Sequence, residues 1–150
     1  MTLAATGRAF LADARRATLA TIAPDGHARL VPICLVLIED VVWSPLDEKP
    51  KSTSDLLDLA RVRDITRDPR VTLLVDRWSE DWSELGWLRV EGSAAVVESD
   101  PSAVEALRAK YPQYRGHDLE SRPMIRITIE HALSWAASSA DGNALGRTDE

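Results

Sequence analysis

VVWSPLDEKPK (residues 41–51), LARVRDITRDPRVTLLVD (59–76) and RWSEDWSELGW (77–87) form the stretch around which the chain is organised. It reads as a short strand ending in a loop with two of the three lysines, Lys49 and Lys51, followed by a short helix carrying Arg61 and Arg63. An apolar strand comes next, then a segment with three of the five tryptophans, Trp78, Trp82 and Trp87. Cationic groups beside flat aromatic surface suit a ligand that is planar at one end and anionic at the other.

Within this stretch, residues 56–67 are helical, but their apolar positions wrap too far around for one stripe, which predicts a break near Ala60. In the second half Val62 and Ile65 face inward, Arg63 and Arg67 share an outer face, and Arg61 sits in the first turn at the border of the buried side. Residues 71–75 read as a strand, and 77–86 lead into a long strand over 87–97.

Upstream, residues 7–16 read as a helix and 19–23 as a strand. Pro24-Asp25-Gly26-His27 has strong turn chemistry, because glycine supplies the positive backbone angle. Residues 28–39 are the longest strand candidate, apolar on both alternating faces. One face would line a barrel interior and the other a subunit contact. Pro32 cannot donate to a ladder, so it implies an edge, a bulge or a local opening. Glu39-Asp40 makes a tight turn into a strand over 41–44, and Ser54 or Asp55 is positioned to cap the helix that follows. Downstream, Asp100 caps a helix that has Pro101 in its first turn and runs to about Lys110. A last strand covers 124–129, with Trp135 soon after it. Residues 1–137 form one domain, and the polar, small-residue tail 138–150 reads as disordered. Six or so strands at hairpin-like spacing, with a few helices, predict a mainly β, α+β fold: a small antiparallel barrel with helical additions.

Composition narrows the function. The 150 residues suffice for one buried core, and the net charge of −6 argues against broad binding to nucleic acid or an anionic membrane. No apolar run reaches membrane-spanning length, the first residues lack the order of a signal peptide, and Cys34 is alone. Cys34 reads as a small buried hydrophobe and the location as cytoplasmic. His27, His117 and His131 have no metal-ligand spacing, and no P-loop, Rossmann or nucleophile-elbow glycine pattern is present.

LDEKPK (46–51), LARVRDITRDPRVTLLVDRWSEDWSELGWLRVEG (59–92) and ALRAKYPQY (106–114) together resemble the pyridoxamine-phosphate-oxidase-like split β-barrel flavoproteins. They are similar, more narrowly, to the actinobacterial branch that uses the deazaflavin coenzyme F420. The resemblance implies a six-stranded split barrel, FMN-binding-protein-like, forming a homodimer with two cofactor sites between subunits. It places Arg61 on the cofactor phosphate, and Lys49 and Lys51 on the phosphate or the acidic tail. Ser44 and Pro45 would line the ring, the backbone of the strand segment with Arg29, Val31 and Pro32 would face its polar edge, and Arg77, Trp78 and Trp82 would close the site from the other subunit. Where branch members often carry two adjacent aromatics this chain has Gly86-Trp87, which opens the substrate side.

Each assignment has a plainer alternative. Lys49 and Lys51 could be a solvated loop beside Asp47 and Glu48, Arg61 a surface partner of Asp58, and Trp78, Trp82 or Trp87 core or interface residues. The function implied is hydride transfer between reduced F420 and an organic small-molecule acceptor, with no catalytic side chain assigned and no metal. The competitors are an FMN enzyme of the same fold, a non-catalytic cofactor- or heme-binding protein, and a barrel that has lost its ligand.

Overall fold

The computed structural model describes residues 3–51 and 53–138. Residues 139–150 of the predicted tail lie outside the described residues. The elements run α1 (Ala5–Asp13), β1 (Ala17–Ile22), β2 (Ala28–Ile33), β3 (Val36–Ile38), β4 (Val41–Pro45), α2 (Ala60–Arg67), β5 (Arg70–Arg77), β6 (Gly86–Val97), α3 (Pro101–Lys110) and β7 (Met124–Ala136). Single 3-10 turns cover Leu56–Asp58, Trp82–Glu84 and Pro112–Gly116.

All seven strands form one antiparallel sheet in the order β2-β1-β5-β6-β7-β4-β3. Consecutive strands β2 and β3 therefore lie at opposite edges, yet only Cys34 and Leu35 separate them. Three peptide steps span at most about 11 Å, so the sheet must roll until its edges nearly meet. The result is a split barrel whose seam lies between β2 and β3.

The expected single strand over 28–39 is thus two strands, which raises the count from six to seven. The reason is geometric: one straight strand could not pass from one edge of the sheet to the other. Pro32 is on the edge strand β2, where its missing donor costs no ladder bond. The second correction is at the C-terminus, where Trp135 lies within β7 rather than after it. The helix predicted over 7–16 ends at Asp13, and the strand predicted over 19–23 is β1. On the outer face of the 28–39 segment Leu30 is 64% exposed, the face expected to meet another subunit.

Other local readings match. Gly26 has φ +88 in the first turn, and Glu39 has φ 54 in the turn between β3 and β4. Asp100 accepts from the Ala103 backbone N–H at 2.9 Å with Pro101 opening α3, and Asp55 accepts from Leu57 at 3.0 Å. The break before Ala60 separates a 3-10 turn from α2, whose Val62 and Ile65 are buried while Arg63 and Arg67 are exposed.

Inward side chains of the sheet, with Leu11, Leu59, Val62 and Ile65, fill the barrel. A second core forms where α3 and the turn after it pack on β3 and β4, through Leu107, Tyr111, Tyr114 and Leu119. No helix among the described residues is long and apolar enough to cross a membrane.

The ladder between β6 and β7 shifts register between Glu91 and Gly92. A Cβ on Gly92 would lie 2.2 Å from the Thr128 carbonyl oxygen, so backbone meets backbone there. Gly92→Ala is expected to cost about 2 kcal/mol, a fall in Tm of roughly 5 °C. Thermal denaturation followed by circular dichroism checks this, and an unchanged Tm would contradict the close approach.

Candidate functional site

Strand β4 ends at Pro45, opposite Met124, and the chain turns into the loop that begins Leu46-Asp47. Arg122 clamps this turn: its Nε donates to the Leu46 carbonyl at 2.6 Å and its Nη2 to the Asp47 carbonyl at 2.5 Å. Asp47 is buried, and its Oδ1 accepts from the Lys49 backbone N–H at 3.1 Å, an Asx-type turn that curls the loop back. Both lysines consequently reach the carboxylate of their own loop. Lys51 Nζ lies 3.0 Å from Oδ1, Lys49 Nζ bonds Oδ2, and the buried Tyr114 hydroxyl donates to Oδ2 at 2.5 Å.

Burial by itself would raise the Asp47 pKa, but the bonds from Lys49, Tyr114 and Lys51 outweigh it and hold the carboxyl well below the usual range. Tyr114 responds in the opposite sense, its phenol pKa pushed up by burial and by donation to Asp47. Lys49 also lies 3.2 Å from the Tyr114 oxygen and 5.2 Å from the centre of its ring. Cys34, read from sequence as a buried hydrophobe, is half-buried with its Sγ 3.9 Å from Lys49 Nζ.

Arg61 stands in the first turn of α2, within the field of Asp47. Burial lowers its pKa, and the Asp47 charge opposes that. Its Nε is buried with no hydrogen-bond partner among the described residues. A guanidinium N–H in that state is expensive unless an anion meets it. Lys49 and Lys51 thus share one carboxylate, whose charge also reaches Arg61.

The remaining candidates lie elsewhere. Arg29, on the inner face of β2, donates from Nε to Asp64 at 2.7 Å, and that buried carboxylate also accepts from Thr21 at 2.7 Å and Arg67 at 3.3 Å. Val31 is half-buried against the core and Pro32 is exposed, while Ser44 and Pro45 are buried at the end of β4. Arg77 donates to the Glu84 carbonyl at 2.6 Å and lies 5.2 Å from the Phe10 ring. Trp78 and Trp82 are 67% and 68% exposed. Trp87 is half-buried and pairs across the ladder with Trp135. A groove of about 530 Å³ runs along Leu74, Arg77, Trp78, Gly86, Trp87 and Trp135.

Register separates these two regions. On the β6–β7 ribbon, Gly86 pairs with Ala136 at one end and Val97 with Met124 at the other. Met124 is also the partner of Pro45, where the lysine loop begins. The tryptophan segment and the basic cluster therefore lie at opposite ends of roughly 35 Å of strand. The fold brings Lys49, Lys51 and Arg61 together and leaves Trp78, Trp82 and Trp87 apart from them in the same chain.

Three members of the cluster went unread in the sequence: Asp47, Tyr114 and Arg122. For Asp47 a signal was present, since it precedes the lysines by two and four residues. Nothing local marks Arg122.

Residues 3–136 match the family described as pyridoxamine 5'-phosphate oxidase. No curated protein matches the chain. Among solved structures the chain is similar to an F420 reductase, with 18% identity over 84% of this chain and 94% of that one and a TM-score of 0.61. It is similar to a FAD-binding protein from Mesorhizobium loti, with 18% identity over 89% and 93% and a TM-score of 0.60. A heme-binding protein from Mycobacterium smegmatis shares 15% identity over 90% of this chain and 54% of that one, with a TM-score of 0.69. At these identities the likeness is one of fold.

The charge cluster has a pH signature. A carboxyl whose folded pKa is depressed contributes stability above its ordinary value near ~3.9 and loses it as pH falls through the folded value. Asp47→Asn should therefore cost about 2 kcal/mol at neutral pH, and the difference from wild type should shrink as pH falls below about 4. Urea denaturation at pH 7 and pH 3 measures both, and a difference independent of pH would contradict the assignment.

Proposed function

Since the chain belongs to the pyridoxamine 5'-phosphate oxidase family, we propose that it is a flavin- or deazaflavin-type oxidoreductase that uses coenzyme F420 and a small organic acceptor. The observation that carries this reading is the buried, unpartnered Nε of Arg61 beside the lysine loop, which fits a phosphate. When bound, the deazaflavin supplies the hydride chemistry. The protein's part is to hold and shield. Arg61 grips the phosphate, Lys49 and Lys51 meet the acidic tail, and Ser44 and Pro45 at the end of β4 border the ring.

The tryptophan segment comes from a second protomer in this proposal. Its support is the separation along β6 and the apolar outer face shared by Leu30, Pro32, Leu74, Trp87 and Trp135. There Thr18 pairs with both Pro32 and Leu74, and Trp87 pairs with Trp135. Leu30, Leu74 and Trp135 are 64%, 40% and 38% exposed, as surface awaiting a partner would be. Arg77, Trp78 and Trp82 of one protomer would then close the site of the other, with Gly86 leaving room for the acceptor. The Arg29 side chain, paired with Asp64, positions β2, and the backbone of the Arg29 to Pro32 segment would face the polar edge of the ring. A cytoplasmic location belongs to the same proposal.

FMN is the second reading. Asp47 already holds Lys49 and Lys51, while Arg61 keeps a buried N–H without an acceptor among the described residues, enough for a single phosphate. Titration of the protein with F420 and with FMN, followed by tryptophan fluorescence, separates the two. Arg61→Ala is expected to weaken the preferred cofactor by roughly 10- to 100-fold with the fold intact. Unchanged affinity would remove the phosphate role. Leu74→Asp is expected to sediment as a monomer and to lose cofactor binding, although it leaves the basic cluster untouched; a monomer that binds as tightly as wild type would show that one chain suffices.

A further inference from the structure

Most anion sites present cations to solvent. Here Asp47, with its side chain only 5% exposed, takes both lysines first. Lys51 is drawn in with it, its side chain 12% exposed, and also donates to the Lys49 carbonyl at 2.9 Å. The carboxylate is itself fixed by Tyr114, while Arg122 holds the backbone on either side of the turn's start. Arg61, in the same field, has a buried Nε with no hydrogen-bond partner among the described residues.

Resting on the reading of this cluster as the cofactor's anion site, we infer that Asp47 is a built-in competitor for the ligand's anionic group and a specificity-determining residue. An incoming anion must share Lys49 and Lys51 with a carboxylate that already holds them, and it meets the repulsion of that carboxylate as it does so. A ligand offering only a small anion gains little from this exchange. A ligand whose ring is bound elsewhere on the protein keeps its affinity, because the remaining contacts hold the anion at the lysines. Asp47 thereby tunes the site against free phosphates and toward a phosphate carried on a larger body.

The test uses the full chain and inorganic pyrophosphate, by isothermal titration calorimetry, alongside F420 and FMN. Asp47→Asn is expected to bind pyrophosphate about tenfold more tightly than wild type, the scale of one charge-assisted contact. Asp58→Asn, which changes the same charge at an exposed site that pairs with no lysine among the described residues, is expected to leave pyrophosphate binding unchanged. In wild type, the assigned Asp47 carboxyl 13C resonance should move as pyrophosphate saturates, a readout that does not require any variant to fold. An Asp47→Asn variant no tighter than wild type, an equal gain in Asp58→Asn, a motionless Asp47 resonance, or no pyrophosphate binding at all would overturn the inference. If wild type binds neither F420 nor FMN while Asp47→Asn gains pyrophosphate affinity, the cofactor reading fails and the role of Asp47 stands.

Discussion

Two residues, Cys34 and Leu35, carry the chain from one edge of the sheet to the other, and that short reach governs the architecture. A sheet of seven strands whose outermost members are three peptide steps apart has to roll. Rolling turns the inner faces into a core that Val62 and Ile65 of α2 complete. The same curvature turns Leu30, Leu74 and Trp135 to the outside, among charged residues such as Asp76 and Arg89. The seam is also where α3 and Tyr114 pack, so the closure that makes the barrel places the tyrosine against the lysine loop.

Two arginines illustrate how one residue type divides between structure and ligand. Arg29 has a buried carboxylate of its own, Asp64, which Thr21 and Arg67 share. Its charge is spent within the fold, and the pair ties β2 to α2. Arg61, three residues before Asp64 on the same helix, is half-buried and keeps an N–H without an acceptor. Burying a donor without a partner is unfavourable by more than a typical hydrogen bond contributes.

Asp47 supplies the complementary case. A carboxylate taken out of water beside two ammonium groups and a phenol is stable only because every oxygen lone pair finds a donor. The cluster is thus fully paired without a ligand on the side of the lysines and under-paired on the side of Arg61. In the proposed reading that asymmetry gives the site direction, an anion meeting Arg61 with its first contact and contesting the lysines with its second. The aromatic surface lies at the far end of the β6–β7 ribbon, so a flat ligand touching both needs two protomers.

Local chemistry settled much of the fold from the sequence. The Asp25-Gly26 turn, the Asp100-Pro101 helix start, the break before Ala60 and the two faces of α2 each depend on residues within one turn of each other. The placement of Arg61 within the field of the lysine loop has a similar origin, since loop, turn and helix follow one another closely. The interruption at Cys34 and Leu35 was not, because an uninterrupted apolar run has the same alternation whether it pairs with one edge or crosses to another. Nor was the extension of β7 through Trp135, which depends on pairing with β6. Asp47 reads as an ordinary loop acid until Tyr114 and Arg122, far along the chain, come to it and exclude water. Sequence alone determined which groups are charged, apolar or turn-forming. Tertiary structure alone decided which charges lost their water, because desolvation depends on what packs around a group and not on its neighbours in the chain.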